Sequence, residues 1–206
     1  MTHASGPLTA EQRAWEAESE LHGPRFAAVG DPPPRLVLFG AVELAGALST
    51  SARAIGWLPY VVDPRERFAL GGRFPAAEAV ITAWPGDAFA QIGAPDARTA
   101  VAVLTHAPEL DDPALEIALR SEAFYVGAMG SRRTQGRRRE RLAAAGLSET
   151  ELARLAGPAG LDLGGETAAE AALAILAEAV AALHGRAGGP LAGSEHAIHN
   201  PEPAHR

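Results

Sequence analysis

From Arg35 onward, short apolar runs alternate with stretches whose apolar residues recur at helical spacing. The runs RLVLFG, LPYVVD, AEAVIT, TAVAVLT and AFYVGAMG read as strands, and helices are predicted between them over 42–55, near 87–92 and over 113–121. The strand candidates are continuously apolar instead of alternating, as strands buried on both faces must be. Strands that alternate with helices need crossover connections. The expectation is therefore an α/β fold with a doubly wound, mostly parallel sheet and helices on both faces.

A C-terminal helical extension follows the last strand: an Arg-rich helix over 132–145, a short helix and a long Ala-rich one. Ser148 with Glu151 and Thr167 with Glu170 open the last two, in the Ser/Thr-x-x-Glu spacing that satisfies two orphan amides reciprocally. At the amino end, residues 9–22 are good helix formers, and the three prolines of GDPPPR at 30–35 break regular structure. From Gly185 the chain is rich in Gly and Pro and poor in large apolar residues, which predicts disorder. The division is an N-terminal helix and linker over 1–34, one domain over 35–184 and a tail over 185–206.

The composition narrows the chemistry. With 206 residues, 47% of them hydrophobic, the chain has material for a core. A net charge of -7 offers no global field for nucleic acid or an anionic membrane. The absence of Cys removes thiolate metal sites and thiol nucleophiles, and all 18 basic residues are Arg, which removes a Walker lysine and Schiff-base chemistry. No basic leader with a long apolar run opens the chain, and no window approaches a membrane span, so a cytoplasmic protein without membrane insertion is expected. His196, His199 and His205 fall in the tail, and no metal site is assigned to them.

Four segments can carry chemistry. The first strand runs into Gly40-Ala41-Val42-Glu43-Leu44-Ala45, and the second ends 23 residues after Gly40 in Asp63. In a dinucleotide-binding turn the helix amides meet a pyrophosphate and such an acid takes ribose hydroxyls. Gly40 fits that pattern, while Val42 occupies a position where backbone must approach phosphate. Arg65 offers a planar fork for a phosphate, and a solvated Asp-Pro turn is the plainer account of Asp63-Pro64-Arg65. The fourth strand ends in Thr105-His106, where an imidazole can donate, accept or shuttle a proton. Further on, Asp112 with Pro113 reads as a helix cap, leaving Asp111 to face a cleft.

The segment Tyr125-Val126-Gly127-Ala128-Met129-Gly130-Ser131-Arg132-Arg133 gives the sharpest signal. Ser131 is a candidate N-cap, and Arg132 and Arg133 then stand in a first helical turn, where cations oppose the macrodipole. A phosphate held by the helix amides and the two forks would remove that conflict. Arg137, Arg138, Arg139 and Arg141 continue along the helix and read as a solvated or protein-docking face. The loop GLDLGGE over 160–166 reads as a connection into the capped helix.

Taken in order, LVLFGA, VVDPRERFA, RFPAAEAVI, AVAVLTHAPELDDPALEIAL, YVGAMGSRRT and GLDLGGETAAEAALAILAEAV closely resemble the Rossmann domain of the XdhC/CoxI family over roughly residues 35–184. The resemblance implies a maturation factor for molybdenum hydroxylases such as xanthine dehydrogenase or carbon monoxide dehydrogenase. Such a factor binds molybdenum cofactor, as the mononucleotide or dinucleotide form, and assists its sulfuration and insertion into the apoenzyme. Turnover is not required of it. A cysteine desulfurase or sulfurtransferase and a second copy of the chain are the further partners it implies.

Gly40, Asp63, Arg65, Thr105, His106, Asp111, Gly127, Gly130, Ser131, Arg132 and Arg133 match the family pattern. The turn departs from it, reading GAVE where the family usually has GAGH, so Val42 and Glu43 stand against ordinary pyrophosphate binding there. Two other functions remain open at this point. One is an NAD(P)-dependent oxidoreductase with His106 as proton donor. The other is a ligand-free docking or regulatory protein.

Overall fold

In a computed structural model, residues 32–193 are described. The helix expected over 9–22, the first part of the linker and the tail beyond residue 193 lie outside them. The strands are β1 Arg35–Phe39, β2 Leu58–Val62, β3 Ala79–Ile81, β4 Thr99–Val103, β5 Tyr125–Ala128 and β6 Leu155–Ala156. All pairings are parallel, in the order β3-β2-β1-β4-β5-β6 of a doubly wound Rossmann sheet.

Period-two alternation sends neighbouring strand residues to opposite faces, and both faces are covered. Val37, Phe39, Val62, Val101, Val103 and Val126 point to one side. They are covered there by α2 (Pro85–Ile92), α3 (Pro108–Leu119), α4 (Arg132–Ala144) and α5 (Glu149–Ala153). Leu36, Leu38, Val61, Ala100 and Ala102 point to the other side, under α1 (Glu43–Ala54) and α6 (Ala168–Leu183). Each fully buried Leu or Val contributes about 1.5–3 kcal/mol of apolar burial, which explains why these strands tolerate no polar alternation. No helix among the described residues is long and apolar enough to cross a membrane.

Both expected capping boxes form. Ser148 accepts the Glu151 amide and Thr167 accepts that of Glu170, while each Glu takes the amide of its cap. Helix α3 starts a turn earlier than expected. Pro108 occupies its first turn behind Ala107, so Asp112 is not a cap and Pro113 sits inside the helix. Pro108 needs no amide partner at that position, whereas Pro113 costs the helix one hydrogen bond. Strand β6 was not expected from the sequence. Its two residues pair with Val126 and Gly127 and are too short to leave a periodic signal.

The registers place the site. Phe39 stands level with Val62 and with Val103, and Val103 with Ala128. The turns after β1, β2, β4 and β5 therefore open on one rim, at the carboxyl ends where open α/β sheets bind ligands.

Candidate functional site

At the β1–β2 end, the chain approaches itself closely. Gly40 has φ +115°, and a Cβ there would collide with the Thr105 methyl, so only glycine lets this turn pass the end of β4. Asp63 is fully buried and accepts four hydrogen bonds. Its Oδ2 takes the Ala41 amide at 2.9 Å and Arg65 Nη2 at 2.8 Å. Its Oδ1 takes the Arg65 amide at 3.0 Å and Arg65 Nε at 2.8 Å. Burial pushes the carboxyl up, but the Arg65 guanidinium and the amides outweigh it and hold Asp63 below the usual range.

Asp63 and Arg65, expected as candidates for ribose hydroxyls and a phosphate, are occupied by each other in this structure. Arg65 also lies 4.6 Å over the Phe68 ring. Arg73 closes the same corner, donating to the Phe68 carbonyl at 3.0 Å. Val42 and Glu43 line a separate cavity of about 590 Å³ with Gly46, Arg73, Phe74 and Ala168.

The β4–β5 end differs. A cavity of about 480 Å³ is lined by His106, Met129, Gly130, Ser131, Thr134 and Pro158. Ser131 caps α4, its Oγ accepting the Thr134 amide at 3.2 Å. The amides of Arg132 and Arg133 belong to the first turn, whose N–H groups have no intrahelical acceptor. Both arginine side chains are exposed and make no hydrogen bond or ion pair with the described residues. Two uncompensated cations thus stand at the positive end of a helix dipole, and an anion is what this arrangement stabilises.

Behind the cleft lies a buried polar network. Thr105 donates to Asp111 Oδ1, and Arg138 Nη2 donates to Asp111 Oδ2 at 2.9 Å. Arg138 Nη1 reaches the Met129 carbonyl at 3.0 Å and Gln135 Oε1 at 2.8 Å. Gln135 Nε2 in turn donates to the Ala128 and Met129 carbonyls at 2.9 and 3.1 Å. Asp111 and Arg138 are each 1% exposed. Burial pushes the Asp111 carboxyl up, only partly offset by Thr105 and Arg138. Asp111, expected to face the cleft, borders the adjoining cavity with both carboxylate oxygens bound by Thr105 and Arg138. It fixes the ends of β4 and β5 to α3 and α4.

Gly127 also has a packing role. It lies within β5, and a Cβ there would strike the Tyr125 ring, whose hydroxyl donates to Glu178 at 2.6 Å. The expected solvated face of α4 is corrected for three residues. Arg138 is buried, Arg139 donates to the Leu152 and Leu155 carbonyls, and Arg141 forks onto Asp112 at 2.6 and 2.9 Å. A signal for Arg138 was present: with Gln135 and Leu142 it forms a three-and-four-residue stripe, and Leu142 is the only large apolar residue of that helix.

Comparison with known proteins agrees with this geometry. The family model described as the XdhC Rossmann domain matches residues 36–179. The chain is 31% identical to the molybdenum cofactor insertion chaperone PaoD of Escherichia coli over 147 residues, 71% of this chain and 39% of that protein. It is 28% identical to a probable xanthine dehydrogenase subunit of Bacillus subtilis, over 79% of this chain and 49% of that one. A crystal structure described as a xanthine dehydrogenase from Bacillus halodurans superposes with a TM-score of 0.64 at 27% identity, over 80% of this chain and 46% of that one. The chain thus spans less than half the length of these relatives. With the strand order, the rim and the matched span in agreement, the chain belongs to the XdhC Rossmann-domain family.

Proposed function

We propose that this domain binds molybdenum cofactor and serves its insertion into a molybdenum hydroxylase of the xanthine dehydrogenase or carbon monoxide dehydrogenase type. The observation that carries the reading is the β4–β5 cleft together with the start of α4 beside it, where the first turn holds two amides and two exposed arginines that make no hydrogen bond or ion pair with the described residues. Arg132 and Arg133 would hold the phosphate of the pterin, and Ser131 would order the turn. His106, exposed at the mouth, faces the remainder of the ligand with Met129 and Pro158 providing apolar wall. The bound cofactor is cargo, and the domain's own residues bind and orient it without a chemical step. Names of relatives support this reading, since one is a cofactor insertion chaperone and another a probable xanthine dehydrogenase subunit. Sulfuration by a sulfurtransferase partner, and pairing with a second copy, extend the same proposal.

The nicotinamide reading has less support, because the acid that would take ribose hydroxyls is filled by Arg65 and Ala41. Native mass spectrometry of the protein mixed separately with molybdenum cofactor, NAD(H) and NADP(H) tests the proposal. Retention of a molybdopterin species, lost in R132E, is expected. Retention of nicotinamide nucleotide alone, or of the pterin undiminished in R132E, would reject it.

A further inference from the structure

A second cavity, of about 420 Å³, adjoins the cleft and shares His106 and Thr134 with it. Arg133, Arg137, Arg138 and Arg141 line it, and Asp111 is its one acidic lining residue. Arg133, Arg137 and Arg141 follow at four-residue spacing and form a like-charged ladder on one face of α4, an arrangement that destabilises a helix. The protein supplies acids to only part of this charge. Asp111 is bound to Arg138, and Asp112 to Arg141. Arg133 and Arg137 are exposed and make no hydrogen bond or ion pair with the described residues. Arg138 contributes a further unmet donor, since its Nε is buried with no partner.

Arg133 and Arg137 line one hollow together with His106. Their Cβ atoms are one helical turn apart, about 5–6 Å, and each guanidinium can take one phosphate through two parallel hydrogen bonds. We propose that this cavity is a subsite for two linked phosphates, one on Arg133 and one on Arg137, so that the ligand of the cleft carries a diphosphate. The identity of the rest of that ligand rests on the reading above, while the anion chemistry rests on the cavity alone. The diphosphate can belong to a nucleotide-extended pterin or to a free nucleoside diphosphate.

Calorimetry on the full chain with inorganic phosphate, pyrophosphate, AMP and ADP tests this, alongside R137Q and R137K. Pyrophosphate and ADP are expected to bind about tenfold more tightly than phosphate and AMP, the effect of one further charge-assisted contact. In R137Q that ratio should collapse toward one, with R137K between the two and the thermal midpoint held as a check on folding. An ADP-to-AMP ratio near one in the unmodified protein, or one that survives R137Q, would overturn the subsite. Survival of the ratio in R137Q together with loss of binding to an acidic protein segment would also overturn it, and make the ladder a docking face. Pyrophosphate that displaces a bound cofactor dinucleotide assigns the diphosphate to the cofactor, and simultaneous binding assigns it to a free nucleotide. A protein that retains no pterin yet keeps the ADP-to-AMP ratio would reject the preceding reading and leave this one standing.

Discussion

The two ends of the sheet's rim use the same kinds of residue to opposite effect. At β1–β2 an acid, an arginine and an amide of the turn before the helix meet, and they satisfy one another: Asp63 takes Ala41 and both arms of Arg65. At β4–β5 an acid and an arginine also meet, but Asp111 and Arg138 do so beneath the surface, leaving Arg132, Arg133 and Arg137 exposed and without partners among the described residues. A polar motif becomes a site only where the fold leaves its groups unspent. The first end is a closed corner, and the second is a cleft on a rigid polar floor.

The largest effect should come from breaking that floor. Replacing Arg138 by Met leaves the Asp111 carboxylate buried without its cation, which costs about 3–5 kcal/mol. Urea denaturation should show the midpoint falling accordingly, and a loss below about 1 kcal/mol, the scale of an exposed pair, would mean the network is solvated and the floor not rigid.

Next in size is the closed corner. Replacing Asp63 by Ala strands a buried amide and the Arg65 fork, for a loss of about 1–3 kcal/mol. The corner also has its own pH signature. The folded-state value of Asp63 lies below the unfolded one, so its stabilisation is complete above the unfolded pKa, about 3.9, and is lost as pH falls through the folded value. Asp111 has the opposite sign. Its folded value is raised, so acidification between the folded and unfolded values removes a cost. In D63N the acid-induced loss of stability should flatten, and an unaltered acid limb would show that Asp63 is not the group responsible.

The fold was legible because each of the first five strands lies in a continuous apolar run and both late helices carry complete capping boxes. The helix start at Ser131 was legible for the same reason, since a cap followed by two arginines is a local pattern. The partners of the arginines further along α4 were not. Its arginines between 132 and 141 look alike in a sequence, and only tertiary packing assigns Arg138 to Asp111, Arg139 to two carbonyls and Arg141 to Asp112. The pairing of Asp63 with Arg65 was hidden for the converse reason: each is a credible ligand contact alone, and nothing local shows that their nearest partner is the other.

A smaller effect on the protein, though not on its ligand, is expected at the open end. R132E should lower cofactor retention about tenfold or more, since it replaces a charge-assisted contact by repulsion. Arg132 is exposed and unpaired, so stability should change by no more than about 0.5 kcal/mol. Retention and melting measured on the same sample separate the two, and a fall in both would assign Arg132 to the fold instead of the ligand.

The smallest effect should follow the substitution that a dinucleotide motif makes most tempting, V42G. In an ordinary pyrophosphate turn, removing that side chain would open the approach to the helix amides and tighten nucleotide binding. Here the Ala41 amide is already bound to Asp63, Arg73 reaches over to the Ala41 carbonyl at 3.4 Å, and Val42 faces the cavity shared with Glu43 and Phe74. Clearing the side chain therefore leaves the Asp63 bonds intact and keeps the Glu43 charge beside the first-turn amides of α1. Affinity for cofactor and for ADP should stay within about twofold, less than the roughly 1.4 kcal/mol that a tenfold change represents. A tenfold gain for ADP in V42G would move the phosphate site back to β1–β2 and erase the distinction between the two ends.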